Sequence, residues 1–514
     1  MNNNQTTKLQ HFIKNYIWIF THTLITTILP FLVRTIMIQK WGLEYAGMNG
    51  LFSSVMQILS IAELGMGSAL LYSMYKPMAL GDVKQVNALL NLYRYIYRIL
   101  GVCVLILGIG MMPFLKYTIQ GSWPEGINIY VVYLIQLVNT VVGYIAFTYW
   151  NAIFQADQRV DIDYKIGLII TFAMYVIQIM VIYRCQNYYL YLVWLPLATL
   201  TINIVRAVYV QRMYPEIRCE GMVERSFIKE YFKRVLGMAI SKVRTTIRIT
   251  IDSIAISSNL GLLILAQYQN YYQLVCIPIL LVNIIKGAII PSFGISVATE
   301  SKQKNYQIFQ LYTFVDNWIA TWATVCLLCL SQNFMCLWLG MNNVLEDRIV
   351  ILFCIYFYLY SVSENALMLR EATGLWWIGK EGAIIESVGN VVLNMILVKH
   401  WGMGGVIIAT IMTLLFINIP IEIIAIFKGY FGMFPYEYIL KQGHYAFNTL
   451  IICVITGWVC KNFLIGDFKS LLLEMLICMF LPNILYIVLN CYRREFREIF
   501  HLLTQCIKKR GKTK

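Results

Sequence analysis

Long apolar stretches alternate with short polar connections along this chain, and their lengths predict membrane-spanning helices. Crossing about 30 Å of hydrocarbon takes about 20 apolar residues at a rise of 1.5 Å each. Stretches of this length lie at 16–39, 46–72, 95–115, 127–150, 164–183, 190–210, 235–258, 262–290, 310–332, 346–367, 381–398, 404–427, 446–464 and 470–490. The pattern therefore predicts an all-α, polytopic membrane protein with about 14 transmembrane helices.

A repeat within the sequence divides these helices into two six-helix lobes plus two extra helices. Gly42 and Leu43 recur six spans later as Gly261 and Leu262. Because six is an even number, the two copies have the same predicted orientation across the membrane. The predicted segments are an N-terminal lobe at 1–210, a basic cytoplasmic connector at 211–234, a C-terminal lobe at 235–427, helices 13 and 14 at 428–490, and a basic cytoplasmic tail at 491–514.

Composition and charge agree with a membrane location. Hydrophobic residues make up 59% of the chain and charged residues 13%, which excludes a soluble domain of this size. Lys and Arg are concentrated in the tails and in alternate connections, so both termini are predicted to be cytoplasmic. The opposite connections hold Lys40, Lys116, Arg184, Arg348, Lys399, Lys461 and Lys469. The net charge of +15 then favours contact with anionic membrane lipids over nucleic acid, because no nucleic-acid-reading module accompanies it.

The span at 235–258 carries charges that a lipid-facing helix avoids. Arg244, Arg248 and Asp252 recur at intervals of four residues and share one helical face, whereas Lys242 points elsewhere. A charge at mid-membrane costs at least a few kcal/mol, so this face is expected to line a route for an anion. Alternatively, Arg248 pairs internally with Asp252, and Lys242 extends to the cytoplasmic interface.

Two further charges lie inside predicted spans. Arg34 lies near the outer end of the first span, and Glu63 lies deep in the second, beside Gly65 and Gly67, which weaken the helix. Arg34, Arg244 and Arg248 are the candidate substrate-binding residues, and Glu63 and Asp252 are candidates for coupling to H⁺ or Na⁺. The alternative for Glu63 is neutralisation of an arginine in a static core. Arg206 and Lys286 lie near the cytoplasmic ends of their spans, and their side chains are expected to extend to the interface.

Sequence motifs for catalysis and cofactor binding are missing from the chain. It contains no G-x-x-x-x-G-K-[ST] loop and no G-x-S-x-G nucleophile elbow, so we expect a transporter without cofactors rather than an enzyme. Most of the thirteen cysteines lie in apolar runs, and Cys326 with Cys329 forms a C-x-x-C pair. Because no second pair or histidine accompanies it along the chain, buried packing thiols are predicted and no metal site.

Several motifs resemble those of bacterial polysaccharide repeat-unit flippases of the Wzx type. These belong to the multidrug/oligosaccharidyl-lipid/polysaccharide exporter superfamily. The resemblance begins with RTIMIQKWGLEYAGMNGLFSSVMQILSIAELGMGSALLYSMYKPMALGD at Arg34 and continues with DSIAIS at Asp252 and YQNYYQLV at Tyr268. It ends with NALMLREATGLWWIGKEGAIIESVGNVVLNMILVKHWGMGGVIIAT at Asn365. The motifs follow the family order from the first helix to the twelfth.

This resemblance implies an undecaprenyl-diphosphate-linked oligosaccharide as substrate, moved from the cytoplasmic to the outer leaflet of the bacterial cell membrane. Polysaccharide polymerase and glycosyltransferases are the protein partners that it implies. It places Arg34, Glu63, Arg248 and Asp252 in a cationic cavity between two rocking lobes. It also assigns two residue pairs to cytoplasmic connections, Lys76 with Pro77 and Arg370 with Lys380. Ile251 departs from the family, which often has a small polar residue before the aspartate.

The surface polymer supplied, whether O-antigen, capsule or exopolysaccharide, is left open by the sequence. A lipid II flippase is the nearest alternative, because its substrate also bears a diphosphate. A drug/cation antiporter of the same superfamily is a second alternative, although the excess of arginine within spans disfavours it. A membrane-embedded polymerase or acyltransferase normally needs larger external loops or a catalytic His/Asp group, which this sequence lacks.

Overall fold

The computed structural model describes residues 2–63, 65–375, 378–463 and 465–511, and these residues form an all-α protein. Seventeen α-helices and several short 3₁₀ and π turns occur within these ranges, and no strand is present there. The predicted fold class is therefore confirmed. Apolar side chains such as Ile99, Ile106 and Phe114 point outward with more than half of their surface exposed, as expected for helices that face lipid.

The first compact unit is Met1–Ala266. Its helices are α1 (Asn2–Trp41), α2 (Leu43–Leu59), α3 (Met66–Leu80), α4 (Val83–Met111), α5 (Ile129–Ile145), α6 (Asn151–Ala156), α7 (Val160–Met180), α8 (Tyr188–Met213) and α9 (Arg225–Leu260). The connection between α8 and α9 is non-helical only at 214–224, so α9 begins inside the predicted connector. By packing, α9 belongs to this unit, because it lies against α2 and α3.

The second compact unit is Gln267–Lys514. Its helices are α10 (Leu262–Thr299), which begins in the first unit, α11 (Lys302–Leu339), α12 (Asp347–Thr373), α13 (Lys380–Thr413), α14 (Ile419–Ile426), α15 (Tyr436–Cys460), α16 (Phe468–Asn490) and α17 (Arg494–Gly511). The predicted basic tail is therefore helical as far as Gly511, and its last three residues lie outside the described part of the chain.

Ten helices of the described ranges are long and apolar enough to cross a membrane, or eleven when the bent pair formed by α5 and α6 is included. One of the ten is the 52-residue segment Lys380–Phe431, which would be about 78 Å long if straight. It bends at Gly402, whose φ is 57°. Its two legs then face each other, since Asn390 Nδ2 donates to Thr410 Oγ1 at 3.1 Å. The count rises to fourteen when the bent α5–α6 pair, the second leg of Lys380–Phe431, α9 and the broken α2–α3 pair are added to the ten helices. This is consistent with the predicted fourteen spans.

Connections assigned by the resemblance are partly helical. Lys76 and Pro77 lie within α3, and Pro77 is buried. Arg370 lies within α12, and Lys380 is the first residue of α13. Both pairs were expected in cytoplasmic connections, and this placement is wrong for Arg370, which is 1% exposed.

Candidate functional site

A polar cavity lies within the first unit, beside the break between α2 and α3. Its volume is about 560 Å³, and its walls come from α3, α4, α5, α6 and α8 together with Glu63. Glu63 is the one carboxylate among the lining residues that the structure describes. The other polar lining residues are Ser68, Tyr93, Tyr97, Asn139, Thr140, Tyr144, Thr148, Asn151, Gln155 and Thr199. This wall of hydroxyls and amides suits a polar or hydrated guest.

Tyrosines hold the carboxylate of Glu63 at the cavity wall. Tyr97 Oη donates to Glu63 Oε1 at 2.7 Å, and Tyr144 Oη donates to Glu63 Oε2 at 3.5 Å. Tyr93 Oη in turn donates to Tyr97 Oη at 3.2 Å. Hydrogen bonds from neutral phenols satisfy a carboxylate without cancelling its charge. Glu63 therefore presents a hydrogen-bonded carboxylate at the cavity surface.

The backbone around Glu63 explains how this side chain reaches the cavity. The predicted weakening by glycine becomes a complete break, because α2 ends at Leu59 and Ser60–Glu63 forms a 3₁₀ turn. Gly65 has φ 91°, a left-handed conformation that residues with a Cβ rarely adopt. The span predicted at 46–72 is therefore two helical segments, and Glu63 lies on the turn between them.

The predicted charged face of α9 is buried. Arg244, Arg248 and Asp252 are 3%, 4% and 5% exposed, whereas Lys242 on another face is exposed. Burying charge of either sign requires compensation, because an isolated ion loses far more hydration than a protein interior returns. The expected extension of Lys242 towards the interface stays a prediction.

Hydrogen bonds fix the two ends of α9 within the first unit. Near its start, Tyr231 Oη donates to the carbonyl of Met66 at 3.0 Å. Near its end, Ser257 Oγ donates to the carbonyl of Thr118 at 2.6 Å, and the Gln120 amide donates to the carbonyl of Ser257 at 2.8 Å. Helix α9 also contacts the Ser60–Glu63 turn.

The sequence-predicted residues occupy different places in the first unit. Glu63 lines the polar cavity, while Arg34, Arg244, Arg248 and Asp252 are outside its lining set. Arg34 on α1 is partly buried and interacts electrostatically with Tyr188 and Tyr191 on α8. The described contacts of Glu63 are with tyrosines. The joint cationic cavity remains a prediction.

Lys286 and Arg206 do not extend freely towards an interface. Lys286 is 8% exposed, and its Nζ lies 2.8 Å from Glu364 Oε2 and 3.3 Å from Glu371 Oε2. Because both partners come from α12, this contact joins α10 to α12, and the expected extension of Lys286 is wrong. Arg206 Nε lies 2.6 Å from Asp163 Oδ1.

The sequence analysis missed further buried polar groups in the second unit. Asp316 on α11 is 1% exposed and accepts a hydrogen bond from Ser361 Oγ at 2.9 Å. Glu386 accepts one from Asn418 Nδ2 at 2.6 Å across the bent 52-residue segment. Asp316 lies within the apolar stretch 310–332, and an ionisable residue inside a predicted span indicates a buried polar contact or a functional site. Nothing in the sequence identifies Ser361 as its hydrogen-bond partner.

Comparisons with known proteins show the fold. No family model and no curated protein matches the chain. Among solved structures, the lipid II flippase MurJ in an inward closed conformation is similar with a TM-score of 0.67 and 15% identity, covering 92% of this chain and 98% of that one. An inward-facing multidrug resistance MATE family transporter of the MOP superfamily gives 0.60 and 16% identity over 77% of this chain and 92% of that one. A MOP superfamily transporter from Pyrococcus furiosus gives 0.53 and 15% identity over 80% and 93%. The chain therefore has the fold that these structures share.

Proposed function

We propose that this protein is a flippase for undecaprenyl-diphosphate-linked oligosaccharide repeat units. In this proposal it moves them from the cytoplasmic to the outer leaflet of the bacterial cell membrane, where a polymerase uses them for surface polysaccharide. The observation that carries the proposal is the buried arginine pair of α9, Arg244 and Arg248, within a MOP-type transporter fold. The sequence motifs that resemble polysaccharide flippases support the same substrate class.

The diphosphate is the part of this substrate that the arginines recognise. A guanidinium stays ionised at physiological pH and binds two phosphate oxygens through parallel N–H groups. The phosphates and sugars cannot cross hydrocarbon unaided, because each unpaired polar group costs several kcal/mol there. In alternating access, polar side chains along the route replace the water that solvates the headgroup. Arg244 and Arg248 would contact the substrate in a conformation other than this one.

Glu63 and Asp252 are the proposed coupling residues. Glu63 faces the polar cavity, and its turn contacts α9, so protonation or Na⁺ binding at Glu63 can bias the position of α9. One charge moving through about 100 mV supplies about 2.3 kcal/mol. Consumption of the product outside is the alternative source of direction. Both termini are proposed to be cytoplasmic, on the side of the glycosyltransferases that make the substrate.

A lipid II flippase is the second candidate function. The observation that favours it is the match to MurJ, which covers 92% of this chain, compared with 77% and 80% for the two MOP superfamily transporters above. The two substrates share the lipid diphosphate and differ in the attached sugars. The arginines of α9 serve either substrate, so only transport measurements with both lipids separate the two functions.

Replacement of Arg248 by Ala tests the proposal. Hydrogen bonds to a charged group contribute about 1.5–3 kcal/mol, so we expect an Arg248→Ala strain to make roughly 10- to 100-fold less surface polysaccharide at equal protein level. Arg248→Lys keeps the charge but loses the planar fork, and an intermediate level is expected. Lys242→Ala is the matched control, since Lys242 is an exposed cation on the same helix.

Reconstitution then identifies the substrate. Purified protein in proteoliposomes is given a fluorescent undecaprenyl-diphosphate oligosaccharide or fluorescent lipid II, and arrival in the opposite leaflet is measured by dithionite quenching. The proposal is supported if wild type transports the oligosaccharide lipid and Arg248→Ala does not. Transport of lipid II alone supports the second candidate. Normal surface polysaccharide in the Arg248→Ala strain contradicts the role given to α9.

A further inference from the structure

Four cysteines from three helices of the second unit converge in space. Cys326 and Cys329 are one turn apart on α11, Cys460 is the last residue of α15, and Cys478 lies in the first half of α16. The Sγ atoms of Cys329, Cys460 and Cys478 all lie within 4.8 Å of one another. Cys326 packs in the same apolar cluster as Cys460 and Cys478. The four cysteines are called the thiol cluster below. The sequence analysis noted only the C-x-x-C pair, because Cys460 and Cys478 lie more than 130 residues further along the chain.

Packing around the thiol cluster holds the three helices in place. Trp322 Nε1 on α11 donates to the carbonyl of Cys478 at 2.9 Å. Thr321 and Thr449 Oγ1 atoms lie 2.8 Å apart between α11 and α15. Trp318 Nε1 donates to Asn483 Oδ1 on α16 at 2.8 Å. Helices α15 and α16 are therefore each joined to α11 by hydrogen bonds close to the thiols.

The spacing of the sulfur atoms fits coordination of one metal ion. With Zn–S bonds of about 2.3 Å, the ligands of a tetrahedral site are about 3.8 Å apart. The Sγ atoms of Cys329, Cys460 and Cys478, which lie within 4.8 Å of one another, reach that spacing through small rotations of their side chains and supply three of the four ligand positions. All four are free thiols in this structure, and thiolates are the ligands that select soft d¹⁰ ions such as Zn²⁺ and Cu⁺.

An apolar cavity gives access to the thiol cluster. Its volume is about 300 Å³, and Cys326 is one of its lining residues, together with Trp322, Phe334 and Met475. The thioether of Met475 is itself a soft donor. A polar pair lies one turn further along the same two helices. Asn333 Nδ2 on α11 donates to Glu474 Oε2 on α16 at 3.1 Å.

We propose that Cys329, Cys460 and Cys478 bind a single thiophilic d¹⁰ metal ion, Zn²⁺ or Cu⁺, that joins α11, α15 and α16, with Cys326 beside them as the candidate fourth ligand. Each thiol that binds as a thiolate releases one proton to solvent. Three thiolates around Zn²⁺ leave one net negative charge, whereas the metal-free thiols are neutral, so the metal–sulfur bonds must outweigh the cost of burying that charge. Packing thiols alone do not require sulfurs from three helices to converge. The four cysteines are therefore treated together in the tests below. The site is independent of the proposed transport function.

Metal analysis of the full-length protein tests the site. Protein is purified in detergent with a reductant from cells grown with added Zn²⁺ or with added Cu⁺ generated by reduction, and bound metal is measured by mass spectrometry. We expect about one ion per chain in one of the two preparations. Cys478→Ser is expected to lower this ratio several-fold. The matched control is Cys354→Ser, because Cys354 is a buried thiol on α12 outside the cluster.

A second measurement uses the unaltered protein, in case a variant fails to fold. Metal-free protein is titrated with Co²⁺, and a sulfur-to-cobalt charge-transfer band is expected. Alkylation is then mapped by peptide mass spectrometry, where the metal should protect the thiol cluster while the exposed Cys103 still reacts. Equal metal content in wild type and Cys478→Ser, or no protection of the cluster by any of the three ions, overturns the proposal. Disulfides among the four cysteines in freshly isolated membranes also overturn it.

Discussion

The ion pair between Arg370 and Glu422 allows a strong test of how the second unit holds buried charge. Arg370 Nη1 on α12 lies 3.0 Å from Glu422 Oε1 on α14, and the two side chains are 2% and 1% exposed. The same Nη1 atom donates to the carbonyl of Ile378 at 3.2 Å. We expect Arg370→Met to destabilise the protein strongly, because it leaves a carboxylate buried without this cation.

The size of the effect follows from the distance and the burial. At 3.0 Å and an effective dielectric constant of about 20, the attraction is roughly 5 kcal/mol. Desolvation of both ions offsets much of it, so the complete pair contributes little net stability. Removal of one partner costs about 3–5 kcal/mol, whereas replacing both by apolar residues is about neutral or stabilising. The double variant Arg370→Met with Glu422→Leu should therefore recover most of the stability that the single variant loses.

Unfolding measurements in detergent check this expectation. Wild type, the single variants and the double variant are compared by tryptophan fluorescence during denaturant or thermal unfolding. The control is Arg348→Met, because Arg348 Nη2 also lies close to a carboxylate, 2.6 Å from Glu346 Oε2, but the side chains are 84% and 67% exposed. An exposed pair contributes less than about 1 kcal/mol. The reasoning fails if Arg370→Met is as mild as Arg348→Met, or if the double variant shows the sum of both single losses.

Two further predictions concern other parts of the chain. Gly47→Ala should destabilise the protein by about 1–3 kcal/mol, because the new Cβ would overlap the Leu262 carbonyl, whose carbon lies 3.0 Å from the Cβ position. The control is Gly110→Ala, because a Cβ at Gly110 meets nothing within 4 Å. Equal losses of stability in the unfolding curves of the two variants would contradict the prediction. Burial opposes ionisation of Glu495 on α17, but the hydrogen bond from Lys441 Nζ at 2.6 Å, a backbone hydrogen bond and the charges of Lys441 and Arg493 together outweigh it and leave the pKa of Glu495 below its ordinary value. The stability from this contact is therefore present above about pH 4.3, the ordinary pKa of a glutamate, and is lost as the pH falls through the lower pKa of Glu495 in the folded protein. Proteolytic release of α17 should increase over that pH range in wild type and not in Glu495→Gln.

Much of the fold was predictable because the hydrocarbon core dictates the length and composition of a spanning helix. The sequence analysis separated the spans 381–398 and 404–427, and the segment Lys380–Phe431 folds back on itself between them, at Gly402, where φ is 57°. Glycine supplies that conformation at low cost. However, many glycines in the chain lie within regular helices, so composition alone does not indicate which one bends.

The charged residues show where local reasoning succeeds and where it fails. The spacing of Arg244, Arg248 and Asp252 predicted one shared face, and the structure buries all three. That inference needed only the geometry of one helix. The expectation for Lys286 was wrong because its partner Glu364 is 78 residues later in the chain. A single sequence places residues along an element, but it does not show which elements pack together, and pairing decides the cost of a buried charge.

The charge balance of α9 bears on the proposed function. Lys286 and Arg370 in the second unit each contact a carboxylate, which is how a static core compensates a buried cation. On the charged face of α9, two arginines accompany one aspartate, so the face itself carries an excess of positive charge. Proteins retain costly buried charge mainly at functional sites. If Arg248 serves mainly to bind an anionic headgroup, Arg248→Ala should lower transport strongly and the unfolding temperature of the substrate-free protein only slightly. A loss of stability equal to that of Arg370→Met would instead indicate that Arg248 belongs to a structural pair.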